Sequence, residues 1–519
     1  MRKQRTLFLG RSPARTPKKN GDNRPVPERR FTSLEVLDIR VEFSNTTVTQ
    51  FGGYPLWASF VEDLGVNAKF AQHIKMDRGE NAFTAPELSR FFLDTRVLGA
   101  ERLVHVDRMR CDPMLVQTYG IDTLPSDETL GRYFKAYGVG HQRSLDRMNI
   151  SVNRSQWKRA RRQGYRAMRE GKVILDYDSM TSTVYGEQEG ADRGRSFRKK
   201  DNPGFQSKFA FIGGLGIMVN QELCPQSYNL PKDFEAFHTA TLAKLPKGAR
   251  VWAIRSDGAL YSEDRIERFE GRGYTYAISA WRTAHLKDVL IRIPEEAWEE
   301  SKDEEGQPCS IARISYCPAT WEKARTYIVS RRLKDLRGQT VLWEWEKYKY
   351  FAYVTNYRAP LGTQWKFCVE RCSLENFIKE GKRGFYYDAL PCKELSANQA
   401  YLAHVQMSYN LVIWWKLFQT PAGINRWTVE TLRERIWNVC GNLVRKRASG
   451  FCRCRRGGPG GRSMNDLWRS PVSLLGSRRW QANTYFGPIT AGLCLDMVFF
   501  ARSGPKSKLD GSLTSPASS

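Results

Sequence analysis

Hydrophobic and polar positions divide this chain into stretches of period two and stretches of period near 3.6. Lys172-Val-Ile-Leu-Asp-Tyr-Asp-Ser-Met-Thr-Ser182 is an apolar run that ends in acids and hydroxyls, and it predicts a buried strand. Arg250-Val-Trp-Ala-Ile-Arg-Ser-Asp-Gly-Ala-Leu-Tyr261 predicts another, whose apolar character stops at Asp257 and whose Gly258 lets the chain turn away. Between them, the pattern from Lys208 to Met218 reads as a strand and turn, and that from Phe234 to Leu245 as a helix. Further strand-like runs cover Ser310 to Tyr316, Arg325 to Arg331, Thr340 to Glu346 and residues 350–355.

The helical period dominates elsewhere. Tyr54 to Leu64, Ala85 to Leu98 and Thr129 to Tyr137 are the clearest early segments, after a short extended stretch at Val36 to Phe43. Ser126 stands where it would cap the third helix, with Asp127 and Glu128 in the first turn. A helix-turn-helix spanning Ala85 to Phe134 is one reading, and a small helical bundle is another. Gln364 to Lys382 predicts one amphipathic helix. Its apolar face is Phe367, Leu374, Phe377 and Ile378. At about 100° per residue, Glu375 lies about 40° around from Arg371, and Lys382 about 20° from Glu375, so all three share a face. Tyr401 to Phe418 is the most apolar run, but His404, Gln406 and Asn410 interrupt it, so it predicts a core helix rather than a membrane span.

Composition narrows the partners. The chain holds 82 Lys+Arg against 55 Asp+Glu, a formal charge of +27, which suits a phosphate backbone without implying sequence preference. A ribosomal or other RNA-binding protein would carry the same excess. Arg2, Lys3, Arg5, Arg11, Arg15, Lys18 and Lys19 cluster among prolines in residues 1–31, which read as a disordered basic arm. Lys158-Arg-Ala-Arg-Arg162 is a second basic run, either a phosphate contact or solvated helix surface. Eleven cysteines with no export signal predict free thiols in a reducing cytosol, and neither Cys368/Cys372 nor Cys452/Cys454 has the second pair a zinc site needs. His73, His105, His141, His238, His285 and His404 lack ligand spacing and read as structural. Gly213-Gly-Leu-Gly216 lacks the Lys-Ser/Thr of a phosphate-cradling loop, which argues against nucleotide hydrolysis.

Candidate chemistry lies in the acids. Asp176 and Asp178 are two residues apart on one strand, so both point to the same face, and spacing cannot separate them. Asp257 ends a second strand, the place where open α/β sheets form ligand crevices. Glu375 lies between two cations on its helix. Singly, each acid also reads as a turn, a cap or an i,i+4 ion pair.

Taken together these segments resemble a known family. Leu175-Asp-Tyr-Asp-Ser179, Tyr185-Gly-Glu-Gln-Glu-Gly-Ala191, Arg255-Ser-Asp-Gly258, and Arg371 with Glu375-Asn376, Ile378-Lys379-Glu380 and Lys382 carry the resemblance. So do Asn398-Gln399 and Ser408-Tyr-Asn-Leu411. The pattern is similar to the Asp-Asp-Glu transposases of bacterial insertion sequences, more narrowly the insertion-sequence-four superfamily with its Tyr-Arg-Glu-Lys signature, and within it the thirteen-eighty family. The match runs from about residue 40 to about 450. One departure stands out: the signature tyrosine falls at position 368, where this chain has Cys368.

The resemblance implies an α/β, RNase H-like catalytic domain interrupted by a β-rich insertion and preceded by a helical DNA-binding domain. It divides the chain into an arm (1–31), the helical domain (32–165), the first catalytic part (166–285), the insertion (286–347), the second catalytic part with the acidic helix (348–450) and an atypical tail (451–519). It implies Asp178, Asp257 and Glu375 as metal ligands, with Asp176 the alternative first ligand, holding two Mg²⁺ ions for which Mn²⁺ can substitute. Carboxylate oxygens are the donors such hard ions prefer. Arg371, Lys379, Lys382, Arg331 and Arg332 are the expected DNA contacts, with Trp343 and Trp345 beside the last two to stack on an unpaired base. Element-end and target DNA, a homodimeric synaptic complex and a bacterial, nucleoid-associated location follow from the family alone. The alternatives are an RNase H-like nuclease without strand transfer and an inactive DNA-binding derivative. After about residue 452, Arg453-Cys-Arg-Arg-Gly-Gly-Pro-Gly-Gly-Arg462 breaks all periodicity, which suggests a frameshifted or fused end, with 503–519 disordered.

Overall fold

A computed structural model describes residues 47–446, apart from 80–81, 195–201, 229, 304, 335–343 and 422, and only backbone strands outside those bounds. The chain separates into two compact units, Met1–Thr46 and Thr47–Ser519. In the first, β1 (Ser33–Val36) pairs antiparallel with β2 (Ile39–Glu42), so the extended stretch near residue 36 is a hairpin. The expected basic arm, Trp343 and most of the tail lie outside the described residues.

The second unit begins with β3 (Val48–Thr49) and a run of helices: α1 (Tyr54–Asp63), α2 (Val66–His73), α3 (Ala85–Leu98), α4 (Val106–Met109), α5 (Pro113–Tyr119), α6 (Asp127–Lys135), α7 (Val139–Arg162) and α8 (Arg166–Glu170). The start signals read from the sequence act as expected at α6, where the Ser126 hydroxyl accepts from the Thr129 amide at 3.2 Å. One buried carboxylate ties three of these helices together. Asp94 on α3 accepts from Tyr54 at 2.6 Å, Trp57 at 2.7 Å, Tyr119 at 2.7 Å and Arg90 at 2.8 Å.

Nine strands then form one mixed sheet. In chain order they are β4 (Lys172–Thr183), β5 (Gly204–Ile212), β6 (Ile217–Pro225), β7 (Arg250–Ser256), β8 (Thr275–Ser279), β9 (Glu299–Lys302), β10 (Pro308–Tyr316), β11 (Arg325–Leu333) and β12 (Tyr348–Thr355). Their spatial order is β6-β5-β4-β7-β8-β12-β11-β10-β9. Strands β4, β7 and β8 run parallel to their neighbours in that trio, while β5, β6 and β12 pair antiparallel. The segment expected as a β-rich insertion therefore continues the same sheet, because β12 pairs with β8 on one side and β11 on the other. Of the run expected as a strand from Thr340, residues Glu344–Lys347 form a 3-10 turn instead.

Helices α9 (Phe234–Lys244), α10 (Glu263–Gly271) and α11 (Ala284–Ile291) follow the strands that precede them, and α12 (Leu361–Val369), α13 (Cys372–Phe385) and α14 (Leu395–Gln419) follow β12. Strand alternation sends Tyr177 to one face, where its ring meets Phe234 and Phe237 of α9. The opposite face carries Ala253, Ala277, Ile328 and Tyr353 against Leu361, Trp365, Phe367 and Cys368 of α12. The apolar run expected as a core helix is α14, buried around most of its circumference. β6 is an edge of the sheet, and Asn410 of α14 meets the Met218 backbone there, accepting from its amide at 2.9 Å and donating to its carbonyl at 2.8 Å. No described helix is long and apolar enough to cross a membrane.

Candidate active site

Asp176 and Asp178 share a face of β4, and the parallel register with β7 sets them beside different neighbours. Asp176 lies opposite Arg255 and Tyr177 opposite Ser256, so the next step up the ladder brings Asp178 beside Asp257. Asp257 thus follows the carboxyl end of β7, and Asp178 stands on β4 just past the last residue paired with β7, on the face that α12 and α13 cover.

The two β4 acids have opposite fates. Asp176 is fully buried, and both its oxygens are taken by one guanidinium: Arg255 Nε donates to Oδ1 at 2.7 Å and Nη2 to Oδ2 at 2.9 Å. Among the described residues no cation hydrogen-bonds Asp178; its Oδ1 accepts from the Ser179 amide at 2.7 Å. Its carboxyl is pushed up to about 7, first by burial and next by the charge of Asp257, with Glu375 adding to the shift and Ser179 and Arg371 opposing it. Asp257 Oδ1 accepts from the Ala259 amide at 3.0 Å, so this acid also caps the short helix that follows it.

Glu375 does not arrive on one continuous helix. The expected helix from Gln364 to Lys382 is divided between α12 and α13, with Arg371 as the N-cap residue of the second. Glu370 and Arg371 keep right-handed dihedrals, but Arg371 donates its amide to Cys368 three residues back, at 3.3 Å. Side-chain periodicity does not record that change of hydrogen-bond partner. Glu375 is consequently in the first turn of α13, half exposed, with its Oε1 3.4 Å from Arg371 Nη2.

Arg371 is mostly buried rather than presented on a charged face. Burial works against its charge, and Tyr353, Cys372, Asp178 and Glu375 more than offset that, so its proton is held more firmly than usual. Lys379 and Lys382 are exposed on the same side of α13 as Glu375, and Lys382 is 3.1 Å from Asp388. A hollow of about 1100 Å³ runs from Ser179 along the end of β4 to Lys382 and Tyr386.

The expected contacts at Arg331 and Arg332 are otherwise engaged. Arg331 is buried, ion-paired with Glu295 at 2.8 Å through Nη1, and held over the Trp298 and Tyr348 rings. Arg332 pairs with Asp303. Trp345 lies under the Lys287 ammonium, 4.0 Å from its ring centre. These partners lie far away in sequence, which local charge patterns do not reveal.

His404 is a structural residue. His404 lies within the core, 3.0 Å from the Ser89 hydroxyl, and burial lowers it to about 4. Burial likewise pushes the Cys368 thiol up, so Cys368 is a packing residue of α12 in place of a phenol. Sequence reasoning missed Trp281, just beyond β8. It is 59% exposed, and its indole N–H donates to the Gly258 carbonyl at 2.6 Å, next to Asp257.

Three carboxylates with oxygen donors only, one of them raised by burial and by its acidic neighbours, fit a hard divalent cation. Among the described residues, no three His, Cys, Asp or Glu side chains are already gathered as tightly as a bound ion requires. Glu375 is turned toward Arg371 instead.

The family model described as transposase DDE domain group 1 matches residues 31–453. No curated protein matches. Among solved structures, a piggyBac transposase synaptic complex with hairpin DNA is 10% identical, with 76% of this chain and 83% of that chain covered and a TM-score of 0.35. A Mos1 transposase paired-end complex with left transposon end is 9% identical, with 42% and 64% covered and a TM-score of 0.16.

Proposed function

This chain belongs to the family of transposases with a group 1 DDE domain, and from that premise we propose that it cleaves DNA at the ends of an insertion sequence and joins the freed 3′-hydroxyls to target DNA. The observation that carries the proposal is that Asp178 and Asp257 stand side by side just past the last paired residues of parallel strands β4 and β7, with Glu375 near enough to shift Asp178. The strand order β6-β5-β4-β7-β8 supports an RNase H-like core, with β9 to β11 as the β-rich part inserted into it. The finer placement in the insertion-sequence-four superfamily and its thirteen-eighty family rests on the residue motif.

Asp178, rather than Asp176, is the first acid in this proposal, because Arg255 already occupies both Asp176 oxygens. Asp178, Asp257 and Glu375 would hold the divalent ions, which when bound supply the positive charge that favours an attacking oxygen and a departing one. Arg371 holds the Glu375 carboxylate beside the pair and offsets the negative charge there. Lys379 and Lys382, exposed on the same helix face, meet the phosphate backbone and position it without reading sequence. Two copies in a synaptic complex would each contribute such a site.

A cleavage and joining assay on DNA carrying the flanking element ends, with Mg²⁺, tests this. Wild type should cut and join, and Glu375→Gln should do neither. Nicking without joining would instead favour a nuclease, and tight end binding without cutting by either protein an inactive derivative.

A further inference from the structure

We propose that Arg255 is the positioning residue that holds the three acid-bearing segments in one arrangement, an inference that rests on the reading of Asp178, Asp257 and Glu375 as the metal-holding acids. Arg255 lies two residues before Asp257 on β7 and points to the same face. Its Nε and Nη2 chelate Asp176, two residues before Asp178 on β4, at 2.7 and 2.9 Å. Its Nη1 donates to the Phe367 carbonyl at 3.1 Å and to Glu370 Oε2 at 3.4 Å, at the junction of α12 and α13 that leads to Arg371 and Glu375. The guanidinium also stands 5.6 Å from the centre of the Phe367 ring. A single 1% exposed side chain therefore touches all three segments directly beneath the acids.

The three segments differ in what else holds them. Backbone hydrogen bonds already join β4 to β7. The α12–α13 junction makes no ladder with the sheet, so side chains must set its distance from Asp178. A planar fork with five fixed donors can serve three directions at once, whereas a lysine ammonium on a flexible stem cannot. Space is reserved for the arrangement as well. A Cβ at Gly213 would lie 2.6 Å from Asp176 Oδ2 and 2.8 Å from Arg255 Nη2. A buried ion pair is weak grounds for stability, since apolar residues of similar volume often replace one at no loss. Its place under the acids points to geometry.

Three variants separate geometry from folding: Arg255→Lys, the double variant Asp176→Leu/Arg255→Met, and Gly213→Ala, which disturbs the pair while keeping both charges. Mn²⁺ binding is followed by electron paramagnetic resonance, alongside the urea unfolding midpoint and cleavage of end-carrying DNA. Expected for the double variant are an unchanged unfolding midpoint, Mn²⁺ affinity weaker by roughly 10–100-fold and cleavage slower by about 100-fold or more. Lysine should not rescue, and Gly213→Ala should weaken Mn²⁺ binding in the same direction. Wild-type affinity and cleavage in a folded double variant would overturn the positioning role. Should the double variant not fold, wild-type Mn²⁺ affinity in Gly213→Ala would overturn it equally. A wild type that binds no Mn²⁺ would overturn the reading of the acids, and the positioning role with it.

Discussion

Asp176 and Asp178 illustrate what a single residue can and cannot disclose. Period-two alternation put both on one face correctly, yet it could not choose between them. The choice lies in the neighbouring strand, where register gives Asp176 an arginine and Asp178 another acid. No local pattern carries that information. The consequence for pH is specific. Asp178 moves from 3.8 to about 7 in the folded chain, mainly through burial and Asp257. Between those values the folded state keeps a proton that the unfolded state has released, so metal-free stability falls as pH rises through the window and levels off above it. Asp178→Asn should flatten that fall, measured as the difference in urea midpoints between wild type and variant from pH 4 to pH 8. The same proton competes with a divalent ion. Cleavage at limiting Mg²⁺ should therefore rise through about pH 7, with its midpoint moving to lower pH as Mg²⁺ is raised.

Elements were legible where their period is strong. Strands β4 and β7 and helices α3 and α9 fall within a few residues of the pattern's bounds, because each buries one face or both. The break between α12 and α13 was not legible, since the chain keeps helical dihedrals through it and no proline or glycine marks it. Nor was the role of Asp94, a buried acid among apolar residues of α3 that collects four donors from α1, α3 and α5. Its removal leaves the buried Arg90 guanidinium with only a 3.8 Å contact to the exposed Glu62 carboxylate. Asp94→Ala should cost about 3–5 kcal/mol of stability, read by urea denaturation, whereas breaking the solvent-exposed pair Arg166–Glu170 should leave the unfolding midpoint nearly unchanged.

At the scale of the whole molecule, the order of strands places the acids, and the continuous sheet places the rest. The family resemblance anticipated an α/β arrangement with acids on two strands and a helix. It did not anticipate that β9 to β11 extend the same sheet, or that Arg331 and Arg332 find carboxylates of their own. Charge patterns suggest candidates for DNA contact, but only long-range partners decide which cations stay available. Lys379 is exposed on α13, so Lys379→Ala should lower the salt dependence of DNA binding by about one counterion in a log–log plot. Arg332→Ala should leave that slope unchanged.

The central claim is that Asp178, Asp257 and Glu375 share divalent ions, and replacing each in turn with cysteine tests it most directly. A thiolate ligates the softer Mn²⁺ better than Mg²⁺. Each cysteine variant should lose cleavage of end-carrying DNA in Mg²⁺ and recover part of it in Mn²⁺, while the alanine variants stay inactive in both. Cleavage by the alanine variants, or cysteine variants that respond alike to the two ions, would contradict direct coordination by these residues.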